Sequence, residues 1–426
     1  MNNYNPLESL GIQMSQVSKY ESAIDDDVAY FFVQLKATQR ACPHCGSEGS
    51  KIKEYKLKTI KGPRSQGLRT LVECRLPRYS CEACGRTYTH SLEAAEKGLS
   101  KGLVESIISD FYGTLTFTEI ARRHDVSTTT VINTFDSKAP NLRQPIGRCL
   151  CIDEYSNTRK SSEKYSCILV DFETRKIVDI LRSRTTPYLD EYFSRQPKRS
   201  LESIEFVITD MYDGYISLAK RFMRNAIIAI DPFHWMEYLT SAVQEVRRAV
   251  MDGQESLEDS SWMGKHWRCL TCAPETLPDK PMTLRNGMTV GWADRVRRFA
   301  RQDEDLFYAY TLIQDFYMTC RKWNKAERRY DWVTYEKASS VIPFYTNQML
   351  KSGIPQLESC GRTWAHYQEY IVNSFITYDG RRLSNGPVEG INSRVKTLKK
   401  LYCGYRNKKR FSERIIMIVN GRKDKK

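Results

Sequence analysis

Arg148-Cys149-Leu150-Cys151-Ile152-Asp153-Glu154 sets an apolar run against two carboxylates, and the rest of the chain takes its place from that run. A short, continuous apolar stretch of this kind reads as a strand buried on both faces. Here it closes at Asp153. Two more strand-like runs follow, Lys164 to Val170 and Lys176 to Leu181, joined by the turn-forming Asp171-Phe172-Glu173-Thr174. A helical stretch, Thr186 to Gln196, leads to Ile204-Glu205-Phe206-Val207-Ile208-Thr209, which again ends in an aspartate, Asp210. Asp213-Gly214 opens a helix through Leu218 and Phe222. Ala226 to Ile230 is a fifth strand, closing at Asp231-Pro232-Phe233-His234.

Three strands, helix, strand, helix, strand is the order of an RNase H-like sheet, with three antiparallel strands and then parallel ones. Sites in open α/β sheets form at strand C-termini near a topological switch. The first and fourth strands are neighbours in that order, so Asp153 is expected beside Asp210. An aspartate after a strand is more often a turn former or a helix cap, but a third carboxylate changes the balance. In Leu383-Ser384-Asn385-Gly386-Pro387-Val388-Glu389-Gly390-Ile391-Asn392, Ser384 and Asn385 offer capping oxygens and Pro387 suits a first helical turn. Glu389 falls in that turn, with Asn392 and Lys396 further along the same face. Taken alone, Glu389 would be a solvated helix residue. Three carboxylates together can hold two divalent ions about 4 Å apart for in-line displacement at phosphorus. Oxygen ligands of this kind suit Mg²⁺ or Mn²⁺. Asp153 is expected to bridge the ions, with Asp210 and Glu389 each completing one; Glu154, Asp213 and Asp231 are rival ligands.

Upstream, Val28 to Leu35 has strand composition and leads into Cys42-Pro43-His44-Cys45-Gly46; Cys81-Glu82-Ala83-Cys84-Gly85 follows after 35 residues. Two such knuckles present four thiolates, Cys42, Cys45, Cys81 and Cys84, to one Zn²⁺. The alternating segment between them predicts the paired strands of a zinc ribbon, with Cys74 and His44 as competing ligands not expected to bind. A third pair, Cys269 and Cys272, lacks a matching knuckle. Ser100 caps a helix through Leu103, Ile107 and Phe111. Thr116-Phe117-Thr118-Glu119 is a capping box, and His124-Asp125-Val126 makes a turn before Ser127 caps another helix. That spacing is a helix-turn-helix. Ser127, Thr128, Thr129, Thr130 and Asn133 would face DNA bases, and Arg122 and Arg123 its phosphates. A plain helical hairpin is the alternative.

The chain of 426 residues exceeds one ordinary core. Its net charge of +15 is concentrated: residues 391–426 hold 13 Lys/Arg against Glu413 and Asp424, and residues 36–101 hold 14 against 6 carboxylates. Two basic blocks around a more acidic middle point to a polyanion gripped from both ends; Lys396, Lys399 and Lys400 belong to the second block. No run is long and apolar enough for a membrane span, nor is a signal peptide apparent, so a cytoplasmic protein with no membrane partner is expected. From Met236 onward the pattern turns helical, with helices predicted from Trp292, from Leu306 to Arg328 and from Trp332 to Leu350. Six of the 7 tryptophans lie between Trp262 and Trp364, which predicts a separate small core. Trp323, Trp364 or His366 would otherwise stack on an unpaired base.

Asn385-Gly386-Pro387-Val388-Glu389-Gly390-Ile391-Asn392, Val395-Lys396 and Gly404-Tyr405-Arg406-Asn407 together resemble the C-terminal signature of bacterial DDE transposases of the insertion-sequence L-three family. The cysteine knuckles, the helix pair, Ile152-Asp153-Glu154, Thr209-Asp210-Met211-Tyr212 and Asp231-Pro232-Phe233-His234 fall in the same order as in that family. The resemblance implies a zinc module and a helix-turn-helix that bind terminal inverted repeats. It also implies an RNase H-like domain that cuts element ends and joins them to target DNA, in the bacterial nucleoid. Asp231 and His234 become second-tier site candidates. The expected fold is multidomain α/β, with a zinc ribbon at 1–99, a helix-turn-helix at 100–142, and an RNase H-like catalytic domain whose first part is 143–240 and whose last helix is 381–403. An all-α insertion at 241–380 interrupts that domain, and a basic tail occupies 404–426. Joining two ends calls for a homodimer or larger assembly on double-stranded DNA. Two rivals stand beside this reading: a non-catalytic DNA-binding regulator, and an RNase H-like nuclease that selects DNA by shape.

Overall fold

The structure is a computed structural model that describes residues 7, 10–38, 41–89, 95–157, 163–253, 257–278, 280–283, 287–324, 327, 329–402 and 407–421. Two compact units divide the chain, residues 1–142 with 397–426, and residues 143–396.

In the first unit, strands β1 (Val17–Asp25), β2 (Val28–Leu35), β3 (Ser50–Ser65) and β4 (Leu68–Cys81) form a sheet with three short strands: β5 (Thr87–Thr89), β6 (Ala95–Glu96) and β7 (Leu99–Ser100). The order is β1-β2-β4-β3-β7-β6, with β5 on β4. The long β3–β4 hairpin turns at Gln66 and Gly67, whose φ values of 51° and 84° are those of a two-residue hairpin turn. β4 alternates buried and half-buried positions, and Val72, Cys74 and Leu76 join Leu10, Phe31, Val33 and Ile60 in a core.

Three helices follow: α1 (Lys101–Asp110), α2 (Phe117–Arg123) and α3 (Thr128–Lys138). Their starts are those read from sequence. Ser100 accepts from Leu103 N–H, Thr116 and Glu119 form a reciprocal capping box, and Ser127 accepts from Thr130 N–H. Leu103, Ile107, Phe111, Ile120, Val131 and Phe135 share one core with Met417. Met417 lies in the region expected to be a basic tail. Residues 408–420 are instead a helix with a buried face, because Phe411, Ile415 and Ile418 recur at helical spacing beneath the charge. Arg414, 1% exposed, donates from Nη2 to the carbonyls of Asp110, Gly113 and Leu115 at 3.1, 3.1 and 2.9 Å. Gly404 to Arg406 and residues 422–426 of that region lie outside the described residues.

The second unit is built on β8 (Cys149–Ser156), β9 (Tyr165–Asp171), β10 (Ile177–Leu181), β11 (Phe206–Thr209) and β12 (Ile227–Ile230), in the order β10-β9-β8-β11-β12. The first three pair antiparallel, while β11 is parallel to both β8 and β12. Asp153 lies inside β8 and not at its end, because the β9 partner carries the ladder on to Ser156. The parallel pairing stops earlier, at Ile208 opposite Cys151. Asp153 and Asp210 each stand two residues past that last pair, on adjacent strands.

Helices α4 (Thr186–Ser194), α5 (Lys198–Glu202) and α6 (Asp213–Phe222) fill the crossovers. Next, α7 (Pro232–Gly253) runs without a break from the end of β12 into the predicted insertion. The insertion continues with α8 (Ser260–Lys265), α9 (Trp292–Ala300), α10 (Glu304–Cys320), α11 (Tyr335–Leu350), α12 (Pro355–His366) and α13 (Gln368–Asn373). It is not all-helical: β13 (Met282–Thr283) pairs β14 (Thr289–Val290), β15 (Arg321–Asn324) pairs β16 (Arg329–Trp332), and β17 (Thr377–Tyr378) pairs β18 (Arg381–Arg382). The helix predicted through Arg328 therefore stops at Cys320. Asn324 Oδ1 takes the Glu327 N–H at 3.2 Å and turns the chain back as a hairpin. Arg328 itself is outside the described residues.

Nor do the tryptophans make a core of their own. Trp235, Trp364, Phe316 and Phe375 are buried in the same cluster as Leu150, Val207 and Ile230 of the sheet. Trp235 and Trp364 meet edge to face at 5.2 Å, and Trp364 Nε1 donates to the Trp235 carbonyl. Thus Trp364 is packing, with no face left for a base. After α13, helix α14 (Gly386–Leu401) carries Glu389, and α15 (Lys408–Asn420) is the helix that replaces the tail.

Candidate functional site

Two groups of side chains hold chemistry. The first is in the N-terminal unit, where Sγ atoms of Cys42, Cys45, Cys81 and Cys84 all lie within 4.8 Å of one another. Gly46 and Gly85, at φ of 76° and 70°, let each knuckle fold back so that its N–H reaches the carbonyl of Cys42 or Cys81. Backbone N–H groups of Cys84 and Ala83 pull the Cys81 thiol down to about 7, toward the thiolate that binds metal. Four thiolates on two knuckles fit Zn²⁺. His44 is not in the group. Cys74 is buried in the sheet core, which pushes its thiol up to about 11. In the same unit Arg64, Glu119, Arg122 and Arg123 line a hollow of about 360 Å³, beside which Lys61 Nζ donates to the Asp125 carbonyl.

Of the residues read as facing DNA there, Thr129 and Asn133 are exposed, as is Arg122. Arg123 is tied to Asp110 at 2.7 Å. Ser127 is occupied as the cap of α3, its Oγ also 2.8 Å from Thr130 Oγ1, and Thr128 is half-buried. In α14, Lys396 and Lys400 are exposed and Lys399 is half-buried.

The second group surrounds Asp153. Burial pushes its carboxyl up to about 7, against the pull of the Glu154 N–H, and the charge of Asp210 adds to the rise. Burial raises Asp210 as well, while His234 and Arg184 draw it back. Two half-buried carboxylates, Asp153 inside β8 and Asp210 just past the end of β11, without an ion pair of their own among the described residues, fit a divalent cation. Glu154 is paired with Arg184, whose guanidinium lies over the rings of Tyr165 and Tyr212 at 4.4 and 4.9 Å. No spacing rule marks Arg184 in the sequence, since it stands in the loop after β10.

Two asparagines fasten α14 to β8. Asn392 donates to Asp153 Oδ2 at 3.1 Å and to the Glu154 carbonyl at 3.2 Å. Asn385 donates from Nδ2 to the Ile152 carbonyl at 3.3 Å. The sequence suggests a capping side chain at Asn385; instead its backbone carbonyl accepts the N–H groups of Val388 and Glu389. Asp231, 3% exposed, spends its carboxylate on the N–H groups of Asn385 and Phe233, at 2.7 and 3.3 Å. It therefore positions the start of α14. His234 lies one turn into α7, close enough that its charge draws on Asp153, Asp210 and Glu154 alike.

Glu389 is exposed on α14, one turn before Asn392. Among the described residues only the four cysteines gather within 4.8 Å as a set of three or more, so Asp153, Asp210 and Glu389 do not close to that distance.

Residues 150–415, well over half of the chain, match the family model for ISL3 transposases. The chain belongs to the ISL3 transposase family. Residues 38–84 of this transposase match the ISL3 zinc ribbon, described as the zinc-finger of transposase IS204/IS1001/IS1096/IS1165, and that match takes in all four cysteines. No curated protein matches the chain. As an ISL3 transposase with a zinc ribbon it is a DNA-binding protein, and none of its described helices is long and apolar enough to cross a membrane.

Proposed function

We propose that this chain cuts and joins DNA through Asp153, Asp210 and Glu389 as a DDE triad on an RNase H-like sheet. The observation that carries the reading is the placing of Asp153 and Asp210 just past the last parallel pair of β8 and β11, with α14 fastened to Asp153 through Asn392. Asp153, Asp210 and Glu389 would hold Mg²⁺ or Mn²⁺, which supplies Lewis-acid stabilisation of charge at the scissile phosphate. Asn392 fixes the Asp153 carboxylate from one side and the Glu154 N–H from the other, so its orientation is set before DNA arrives. Arg184, held on two tyrosine rings, offers a cation to the phosphate backbone beside Asp210.

In the first step the oxygen of water bonds to phosphorus, the bond to the 3′ oxygen breaks, and that oxygen leaves as a 3′ hydroxyl. In the second, this hydroxyl attacks a target phosphodiester and displaces another 3′ oxygen. Helices α2 and α3 act as a helix-turn-helix and, with the zinc ribbon, bind the terminal inverted repeats; a homodimer or larger assembly holds two ends. The test is a strand-transfer assay on repeat-ended duplexes with Mg²⁺. D153N, D210N and E389Q should each abolish cutting and joining while keeping DNA affinity. Repeat binding by the wild type with no cutting at all would leave the regulator reading, cutting that survives all three variants would overturn the triad, and cutting governed by DNA shape without joining would favour the structure-selective nuclease.

A further inference from the structure

Helix α14 has a second lined face. Away from Asn392, Gly386, Gly390 and Arg394 meet Arg175, Arg381 and Arg382 around a cavity of about 430 Å³. No carboxylate among the described residues lines it. Two of the guanidinium groups are already held in place. Arg382 donates from Nε to the Ser374 carbonyl at 2.8 Å and lies over Phe375 and Trp332, at 4.1 and 4.3 Å. Arg381 donates to the Phe172 carbonyl at 3.1 Å and to Asp379 at 3.0 Å, over the Phe172 ring. Arg175 and Arg394 are exposed, and neither makes an ion pair among the described residues.

The backbone tells the same story. Glycine inside a helix is less stable than alanine, yet a Cβ at Gly390 would meet nothing within 4 Å. Packing in the free protein does not require the glycine. Its absence of a side chain keeps the first turns of α14 bare toward the cavity, where the positive end of the helix dipole adds to four guanidinium charges.

We propose that this hollow is a second DNA subsite, taking a backbone phosphodiester away from the bond that is cut. The proposal rests on the reading that DNA is presented to Asp153 and Asp210 on the other side of the same helix. Arginine suits the role because its planar fork binds phosphate oxygens in pairs.

The test uses the full chain and two duplexes, one ending in the inverted repeat and one unrelated target, with single methylphosphonates placed along each strand. In the wild type, neutralising the phosphate that enters the hollow should weaken binding about ten-fold. In R175Q/R394Q the same neutralisation should cost nothing further, and the slope of log affinity against log salt should fall by about 0.9 for each phosphate the protein no longer neutralises. G390A should melt no lower than wild type and still weaken binding at the same phosphate. R175K/R394K, which keeps the charge, should bind between the two. The duplex that shows the effect identifies the source of the phosphate, element end or target. The proposal is overturned if the double variant binds as wild type does, or if its loss multiplies with every methylphosphonate alike. Binding is read without cutting, so a wild type that binds but never cleaves would sink the catalytic reading and leave this one standing.

Discussion

Asp153 carries a pH signature that falls in the neutral range. Its ordinary carboxylate value is 3.8 and burial raises it to about 7. A raised acid favours the fold in its protonated form, so its contribution is complete below the unfolded value and disappears as pH climbs through about 7. Melting in EDTA should therefore show D153N more stable than wild type at pH 8, with the two converging near pH 4. Mg²⁺ should raise the wild-type melting temperature at pH 8 and do little at pH 5, where the proton competes. Asn392 acts through Asp153: N392A should lower cleavage by about 10- to 100-fold with DNA affinity unchanged, measured as single-turnover rates against binding isotherms. Asp153 and Asp210 are legible in the sequence because an apolar run closing in an acid is a local pattern. The work of Asn385, Asn392 and Asp231 is not, since each bonds a partner more than 150 residues away in the chain.

Elements behave as their caps and faces dictate, and strong local signals place them correctly. Ser100, Thr116 with Glu119, and Ser127 start α1, α2 and α3 where the side-chain chemistry says they should. Sequence alone overextends α10, because aromatic spacing continues past Cys320 while Asn324 turns the chain back. The charge of the α15 region disguises it as a tail and hides a stripe of Phe411, Ile415 and Ile418. That helix yields a prediction of its own. R414A leaves the carbonyls of Asp110, Gly113 and Leu115 without their shared donor and should cost about 2–4 kcal/mol, read as early melting of the unit with α1 to α3. The zinc ribbon gives another. C42S or C81S should lose one bound zinc per chain by elemental analysis and abolish inverted-repeat binding, because the two knuckles, which pack only in the small cluster of Cys42, Tyr79, Cys81 and Tyr88 among the described residues, need the metal to hold their shape.

At the level of the whole molecule, the charge and a zinc ribbon placed ahead of a transposase region are visible in the sequence. A net charge of +15 with basic blocks at both ends foretells a nucleic-acid partner, and the match to a transposase family over residues 150–415 agrees with it. What composition conceals is the sharing of one interior. Seven tryptophans, six of them in one segment, look like the makings of an independent body. Burial depends on which faces meet, and Trp235 and Trp364 meet among residues of the β8–β11–β12 sheet. W364A should consequently lower a single melting transition for residues 143–396, by about 3–5 kcal/mol, and calorimetry should show no separate peak for the inserted helices. The same arrangement bears on how such a gene decays. An in-frame loss of coding sequence between the codons for Asp231 and Glu389 would strip one wall from the interior of the β8–β12 sheet itself. Shortened descendants would then inherit a collapsed polypeptide and no reduced enzyme, so erosion of the gene in that interval is abrupt, never gradual.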